Sequence, residues 1–341
     1  MGTAFRPRCQ RSSLSRGLLV VAASLFAASS LAQVCQTAGD MNTASRTALE
    51  AAAKRYFDLS ARGDAAALKQ NSISNVAANF AGIEASVKEN QGAFAGVQAA
   101  IRPPFVLTVE GAQPLERAEF LCGVFGKLGQ TKDSAVFVLN NLPPGKYGIA
   151  ILDVTGGKTA MTLTLVLQQE GNDWKLAGYF PRPSQTAGHD SEWFLQHARD
   201  FKAKSQAHNA WLYYREAIAL SSPVDFMSTL ATDKLYDETQ AAQPADVPAN
   251  GGKTDLSAGG KVYHVTEFFP LAVGNDLDVV VKYQASDVSD TARTFQENTA
   301  VIKALVAKYP ELRDAFAGIV ARAVEPSGHD YGTLLAMKDI K

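Results

Sequence analysis

The stretch TAMTLTLVLQQEGNDWKLAGYFPRP, residues 159–183, reads as a complete antiparallel hairpin with its own turn. Met161, Leu163, Leu165 and Leu167 alternate with Thr162, Thr164, Val166 and Gln168, the period of two expected of a strand with one face buried and the other less so. Glu170-Gly171-Asn172-Asp173 supplies the turn, because Gly and Asn tolerate positive φ. Trp174, Leu176, Gly178 and Phe180 return along the partner strand, and Pro181 and Pro183 stop pairing by removing backbone donors.

Upstream of this hairpin lie β-branched or aromatic runs at residues 105–110, 119–125, 134–139 and 147–154, separated by Gly, Pro and Asn punctuation. Together they predict an antiparallel meander of about five or six strands. Before the strands, residues 48–60 (ALEAAAKRYFDLS) form a helical pattern with Leu49, Ala52, Ala53, Tyr56 and Phe57 on one stripe. Gly63 suits the end of that helix and Asp64 can cap a second one over residues 65–69, while residues 80–90 predict a third.

Downstream, residues 191–220 predict a helical hairpin and residues 224–239 a further helix. Residues 241–260, rich in Pro, Gly, Ala and Asp, read as a linker. Beyond it, strands at 262–272 and 277–283, a helix over 290–309 and a closing hairpin at 319–324 and 331–338 make a ββαββ unit. The expected class is therefore α+β: a curled antiparallel sheet packed on N-terminal helices (33–183), a helical hairpin region (184–240) and a small C-terminal α+β domain (261–341).

The first 32 of the 341 residues belong to a different category. Arg6, Arg8, Arg11 and Arg16 precede an apolar core at residues 17–28, and Ser30-Leu31-Ala32 offers small residues for cleavage. This predicts export to the periplasm or beyond, with no integral span after cleavage; an uncleaved anchor helix is the alternative. Removing residues 1–32 takes away four Arg and no acid, leaving 29 Lys and Arg against 34 Asp and Glu, a charge of −5. A mildly acidic chain without a basic stripe argues against nucleic acid as a partner. Of the three cysteines, Cys9 lies in the signal, so Cys35 and Cys122 remain as a disulfide candidate or as two free thiols.

Helix, Gly-Asp turn, second helix and an antiparallel sheet ending in a Trp-containing strand resemble the cone-shaped α+β fold of the nuclear transport factor two and ketosteroid isomerase family. In AAAKRYFDLSARGDAAAL the resemblance rests on Tyr56, Gly63 and Asp64, and it covers about residues 48–183. In the isomerases a tyrosine at the place of Tyr56 donates a hydrogen bond to the substrate. Their general-base aspartate has no counterpart here, because residues 71–80 (NSISNVAANF) contain no carboxylate. The run Leu142-Pro143-Pro144-Gly145-Lys146-Tyr147 is similar to a turn of transthyretin-like sandwiches, a competing reading that needs residues 48–69 outside the sheet. Residues 191–220 resemble one tetratricopeptide unit, with Phe194, Ala198 and Phe201 facing Ala210, Tyr214, Ala217 and Leu220. A lone unit of this kind must pack on a neighbour.

No motif carries a reaction. The Gly-Gly-Lys-Thr runs at 156–159 and 251–254 have Leu152 and Val247 where a phosphate loop needs Gly, and the five histidines lack metal-ligand spacing, so no cofactor is expected. What remains is the interior of the cone, for which Tyr56, Phe57, Phe120, Phe137, Asp153, Trp174 and Tyr179 are the candidate lining residues, with filled core as the plainer reading of the aromatics. The functional expectation is an exported, noncatalytic binding or scaffold protein for a partner protein or a small apolar ligand. The alternatives are a pocket enzyme in which Asp153 or Glu110 stands against Tyr56, and a transthyretin-like structural module.

Overall fold

The computed structural model describes residues 33–157, 159–248 and 251–341. The export signal expected over residues 1–32 lies outside them. Strand β1 (Gln33–Gln36) leads to four helices, α1 (Thr43–Ala61), α2 (Ala65–Gln70), α3 (Ser74–Ala78) and α4 (Ala81–Phe94). Seven strands follow: β2 (Gln98–Ile101), β3 (Phe105–Val109), β4 (Leu115–Gly126), β5 (Gly129–Leu142), β6 (Gly145–Thr155), β7 (Met161–Glu170) and β8 (Asp173–Pro183). A short ribbon, β9 (Gln185–Thr186) with β10 (His189–Asp190), precedes the hairpin of α5 (Ser191–Ala203) and α6 (Ala207–Ser221). Next come β11 (Met227–Thr229), α7 (Leu230–Ala241), β12 (Thr254–Ala258), β13 (Lys261–Val273), β14 (Asp276–Gln284), α8 (Thr291–Lys308), β15 (Gly318–Val324) and β16 (Asp330–Ala336). The class is α+β, with largely antiparallel sheets that do not close. Among the described residues no helix is long and apolar enough to cross a membrane.

The β7–β8 hairpin turns at Gly171, whose φ of +62° is the left-handed conformation that glycine adopts without strain. Its pairing slips between Val166 and Leu167, leaving Ala177 as a bulge. The alternation of β7 predicts one buried face, yet every residue from Met161 to Leu167 is buried. Both faces are covered. Leu163, Leu165 and Leu167 pack under the helices, Val166 faces a second sheet, and the Thr164 hydroxyl donates to the Pro223 carbonyl at 3.4 Å.

That second sheet is the main departure from a single meander. β3 pairs with β6 across the β4–β5 hairpin, giving a sheet ordered β1-β3-β6-β7-β8 with β2 also on β6. β4 and β5 leave it and join β11 in a separate layer. Leu107, Ile149 and Val166 of the first sheet meet Ala118, Phe120 and Phe137 of the second in one apolar layer. On the opposite face Leu49, Ala53, Tyr56 and Phe57 of α1 pack against Leu163, Leu165, Trp174 and Leu176. Each such large side chain contributes about 1.5–3 kcal/mol relative to exposure.

Local signals position α1. The Asn42 side chain accepts from Ser45 N at its start, Gly63 (φ +69°) ends it, and Asp64 caps α2 by accepting from Ala67 N. Gly148 on β6 allows the close approach, since a Cβ there would lie 2.4 Å from Leu49 Cδ1 and 3.2 Å from Trp174 Cζ3. The transthyretin-like reading, which needs these helices off the sheet, does not hold.

The second half departs from its expected boundaries. The α5–α6 hairpin does not stand apart from the C-terminal unit: Phe194, Phe201 and Tyr213 share one core with Tyr309, Leu312 and Phe316, and the Tyr213 hydroxyl donates to Ala315 O at 2.9 Å. The C-terminal unit is thus the neighbour on which this helical pair packs. The expected linker, 241–260, buries Val247 in that core and contains β12, paired with β13. Leu256 and Ala258 point inward between exposed Asp255 and Ser257, so the Gly-rich composition masked a period of two. The helix expected over 224–239 begins only at Leu230, because Met227–Thr229 pairs with β5 and Thr229 supplies the helix cap. The predicted ββαββ order is present with β12 added. β14 and β15 run parallel because α8 carries the chain back between them.

Candidate functional site

The seven candidate pocket residues do not converge. Tyr56 is fully buried, its hydroxyl 2.7 Å from Asn71 O and 2.9 Å from Trp174 O, while Arg55 Nη2 donates to it at 3.3 Å. Burial raises its pKa. The hydroxyl is a strut tying α1 to the segment after α2 and to β8. Phe57 packs on Phe94 at 5.7 Å between ring centroids, and Trp174 lies in the same helix-facing core. Tyr179 shares that core; its hydroxyl makes no hydrogen bond among the described residues, and burial pushes its pKa up to about 12. Phe120 and Phe137 lie on the other side of the sheet, in the layer between the two sheets.

Asp153 is a third location. Arg102 grips it with both ends of its fork, Nε to Oδ2 at 2.9 Å and Nη2 to Oδ1 at 2.7 Å. Glu110 is exposed at the end of β3. The pocket-enzyme expectation needs one of these carboxylates on the Tyr56 hydroxyl, and the carbonyls of Asn71 and Trp174 occupy that place. Replacing Tyr56 with Phe is expected to cost about 0.5–1.5 kcal/mol of stability, because the hydroxyl's hydrogen bonding to the Asn71 and Trp174 carbonyls is lost while Leu176 N and Arg55 remain as their other donors. Urea unfolding monitored by circular dichroism measures it, and an unchanged midpoint would remove the strut role.

The open space lies elsewhere, at the edge of the first sheet. β8 is the terminal strand, and among the described residues its outer edge is bridged only at Leu176, where Leu176 N donates to Asn71 O at 2.9 Å and Ile73 N donates to Leu176 O at 3.0 Å. Beyond that bridge a groove of about 650 Å³ opens. Ile73, Val76, Leu139 and Leu142 line it together with Phe180 and Phe226. Phe226 meets Phe180 edge-on at 5.4 Å and is held by Val138 N, which donates to its carbonyl at 2.9 Å. Gly178 leaves room for the Phe180 ring, which a Cβ would approach to 2.7 Å. Ser74, Asn75, Asn140, Asn141, Gln168 and Glu170 are the polar part of the lining. Tyr147, also in the lining, donates its hydroxyl to Pro143 O at 2.9 Å.

None of the seven candidates lines this groove. Residues 71–80 entered the sequence reading only as a stretch lacking a carboxylate, and Phe226 only as part of a helix. The one available signal is Phe180, a large aromatic at the end of a strand bounded by prolines, which is 37% exposed. The disulfide candidate is realised: Cys35 on β1 is bonded to Cys122 on β4, joining the two sheets. Comparison of the chain with protein-family models, with characterised proteins and with solved structures finds no match.

Proposed function

We propose that this is an exported, noncatalytic binding protein whose groove beside β8 takes a small apolar ligand. The observation that carries the reading is the groove itself: about 650 Å³, lined mainly by apolar side chains with several polar ones among them. That size and lining suit small-molecule sites, where apolar surface supplies affinity and a few polar groups set orientation. Its lining holds one carboxylate, Glu170, and no histidine, and its tyrosine is engaged by a backbone carbonyl. This favours binding over acid–base chemistry. Export is supported by the basic and apolar pattern of residues 1–32 and by the Cys35–Cys122 bond, since disulfides persist in oxidising compartments. The family likeness read from residues 48–183 belongs to the same proposal, supported by α1, the Gly63–Asp64 turn and α2 lying against a sheet whose last hairpin carries Trp174.

The uncharged fluorophore N-phenyl-1-naphthylamine tests the groove. Saturable one-to-one fluorescence enhancement is expected, weakened about tenfold or more by Phe180→Asp, which sets a charge against the bound apolar surface. Phe180 is half-exposed, so the variant keeps its fold, and equal affinity in both proteins would sink the proposal. The unpaired edge of β8 past Leu176 favours one second reading, an extended peptide added as a further strand. That occupant would slow amide exchange at residues 177–180, which a small apolar ligand leaves fast.

A further inference from the structure

A second cavity, of about 430 Å³, lies between α6, α7 and β13, remote in sequence from the groove. Arg215 of α6 reaches into it, half-buried, with Ile218 and Ala219 of the same helix, Tyr236 and Gln240 of α7 and Phe268 of β13 around it. Arg215 Nη1 donates to the Phe268 carbonyl, and the guanidinium lies over the Trp211 ring with Cζ 4.9 Å from its centroid. These contacts fix the plane of the fork and use one of its several N–H groups.

Arg215 has no ion pair among the described residues, although two acids stand near it. Glu267 faces the cavity but is held by Lys282 at 3.0 Å. Glu216, the next residue along α6, accepts the Thr186 hydroxyl proton at 2.5 Å. Burial lowers the pKa of Arg215, yet a guanidinium stays charged in any protein setting. The site therefore presents a partly desolvated, oriented cation, with no carboxylate within ion-pair distance among the described residues, to a space of small-molecule size. Desolvating a charge is costly unless it is paired, and a planar carboxylate pairs with this fork bidentately.

We propose that this cavity binds a small monocarboxylate with an apolar body, its carboxylate on the free donors of Arg215 and its body against Ile218, Ala219 and the exposed Tyr236 ring. One unpaired cation matches one negative charge, which favours a carboxylate over a phosphate dianion. Phe268 O and Trp211 act as positioning groups for the fork.

Sodium benzoate is the probe, followed in the mature chain by isothermal titration, with benzyl alcohol and inorganic phosphate as comparison arms. Benzoate is expected to bind saturably and to weaken at least about tenfold in Arg215→Gln, the effect of losing a charge-assisted bond. Because Arg215→Gln disturbs a buried contact, Ala219→Trp serves as a second variant: position 219 is exposed and lines the cavity, so the indole fills the space while the guanidinium charge is kept. Loss of benzoate binding in both variants, with benzyl alcohol silent, supports the assignment. Benzoate binding that survives both variants, no benzoate binding to the parent protein, or phosphate binding at least as tight as benzoate each overturns it.

Discussion

Replacing Cys35 and Cys122 together by serine is expected to lower the free energy of unfolding by about 4–5 kcal/mol, the chain-entropy value for a bond of this loop length. The cysteines are 87 residues apart in sequence, so the bond restrains a long loop in the unfolded chain. Its placement adds to the effect. β1 is only four residues long and pairs with β3 at the edge of the first sheet, while Cys122 lies fully buried on β4 in the second. Without the bond the N-terminal strand is held by one short ladder, and the sheets lose their covalent tie. Urea unfolding of the oxidised protein, the reduced protein and the double variant measures this. The reduced form should unfold at a much lower midpoint and the serine form at least as low, because serine at the fully buried position 122 hides a hydroxyl; three coincident curves would contradict the role given to the bond.

Phe137→Ala is expected to cost about 3–5 kcal/mol, the usual range for emptying a large aromatic site. Phe137 is fully buried, stands opposite Phe120 in the β4–β5 register and meets the Phe105 ring at 5.1 Å across the two sheets. As a core residue it should lower stability while leaving the affinity of the folded protein for N-phenyl-1-naphthylamine unchanged. As a ligand contact it would do the reverse, so unfolding and binding measured on one variant separate the two roles.

How much of this was legible in the residues depends on how far apart the partners lie. The β7–β8 hairpin is legible because its pairing and turn are local, and so is the α1–α2 junction, where Gly63 and Asp64 carry the required conformation and cap. Most of the C-terminal unit is legible for the same reason. Periodicity reports that a strand is buried but not which strand lies beside it. β3 pairs with β6 across the whole β4–β5 hairpin, and no local pattern separates that arrangement from a continuous meander. Thr164 illustrates the limit: a threonine at an alternate position reads as the less buried face, and it is fully buried because the chain near Pro223 covers that face.

The groove was hidden for a similar reason. Its walls come from Ile73 and Val76, from Leu139 and Leu142, from Gly178 and Phe180, and from Phe226, segments that only the completed fold assembles. Six of the seven candidates are aromatic residues on strands or on the first helix, a signal that marks packed core before it marks a site. Tyr56 shows why: its hydroxyl has protein partners, as buried polar groups generally do.

The central claim is that an apolar ligand is received at the open edge of β8 and not within the core under α1. Methyl-labelled NMR spectra recorded while N-phenyl-1-naphthylamine is added test this most directly. The account predicts shifts confined to Ile73, Val76, Val138, Leu139, Leu142 and Val166, with Leu49, Leu163 and Leu165 unmoved. Shifts at Leu49, Leu163 and Leu165 with the groove methyls silent would contradict it.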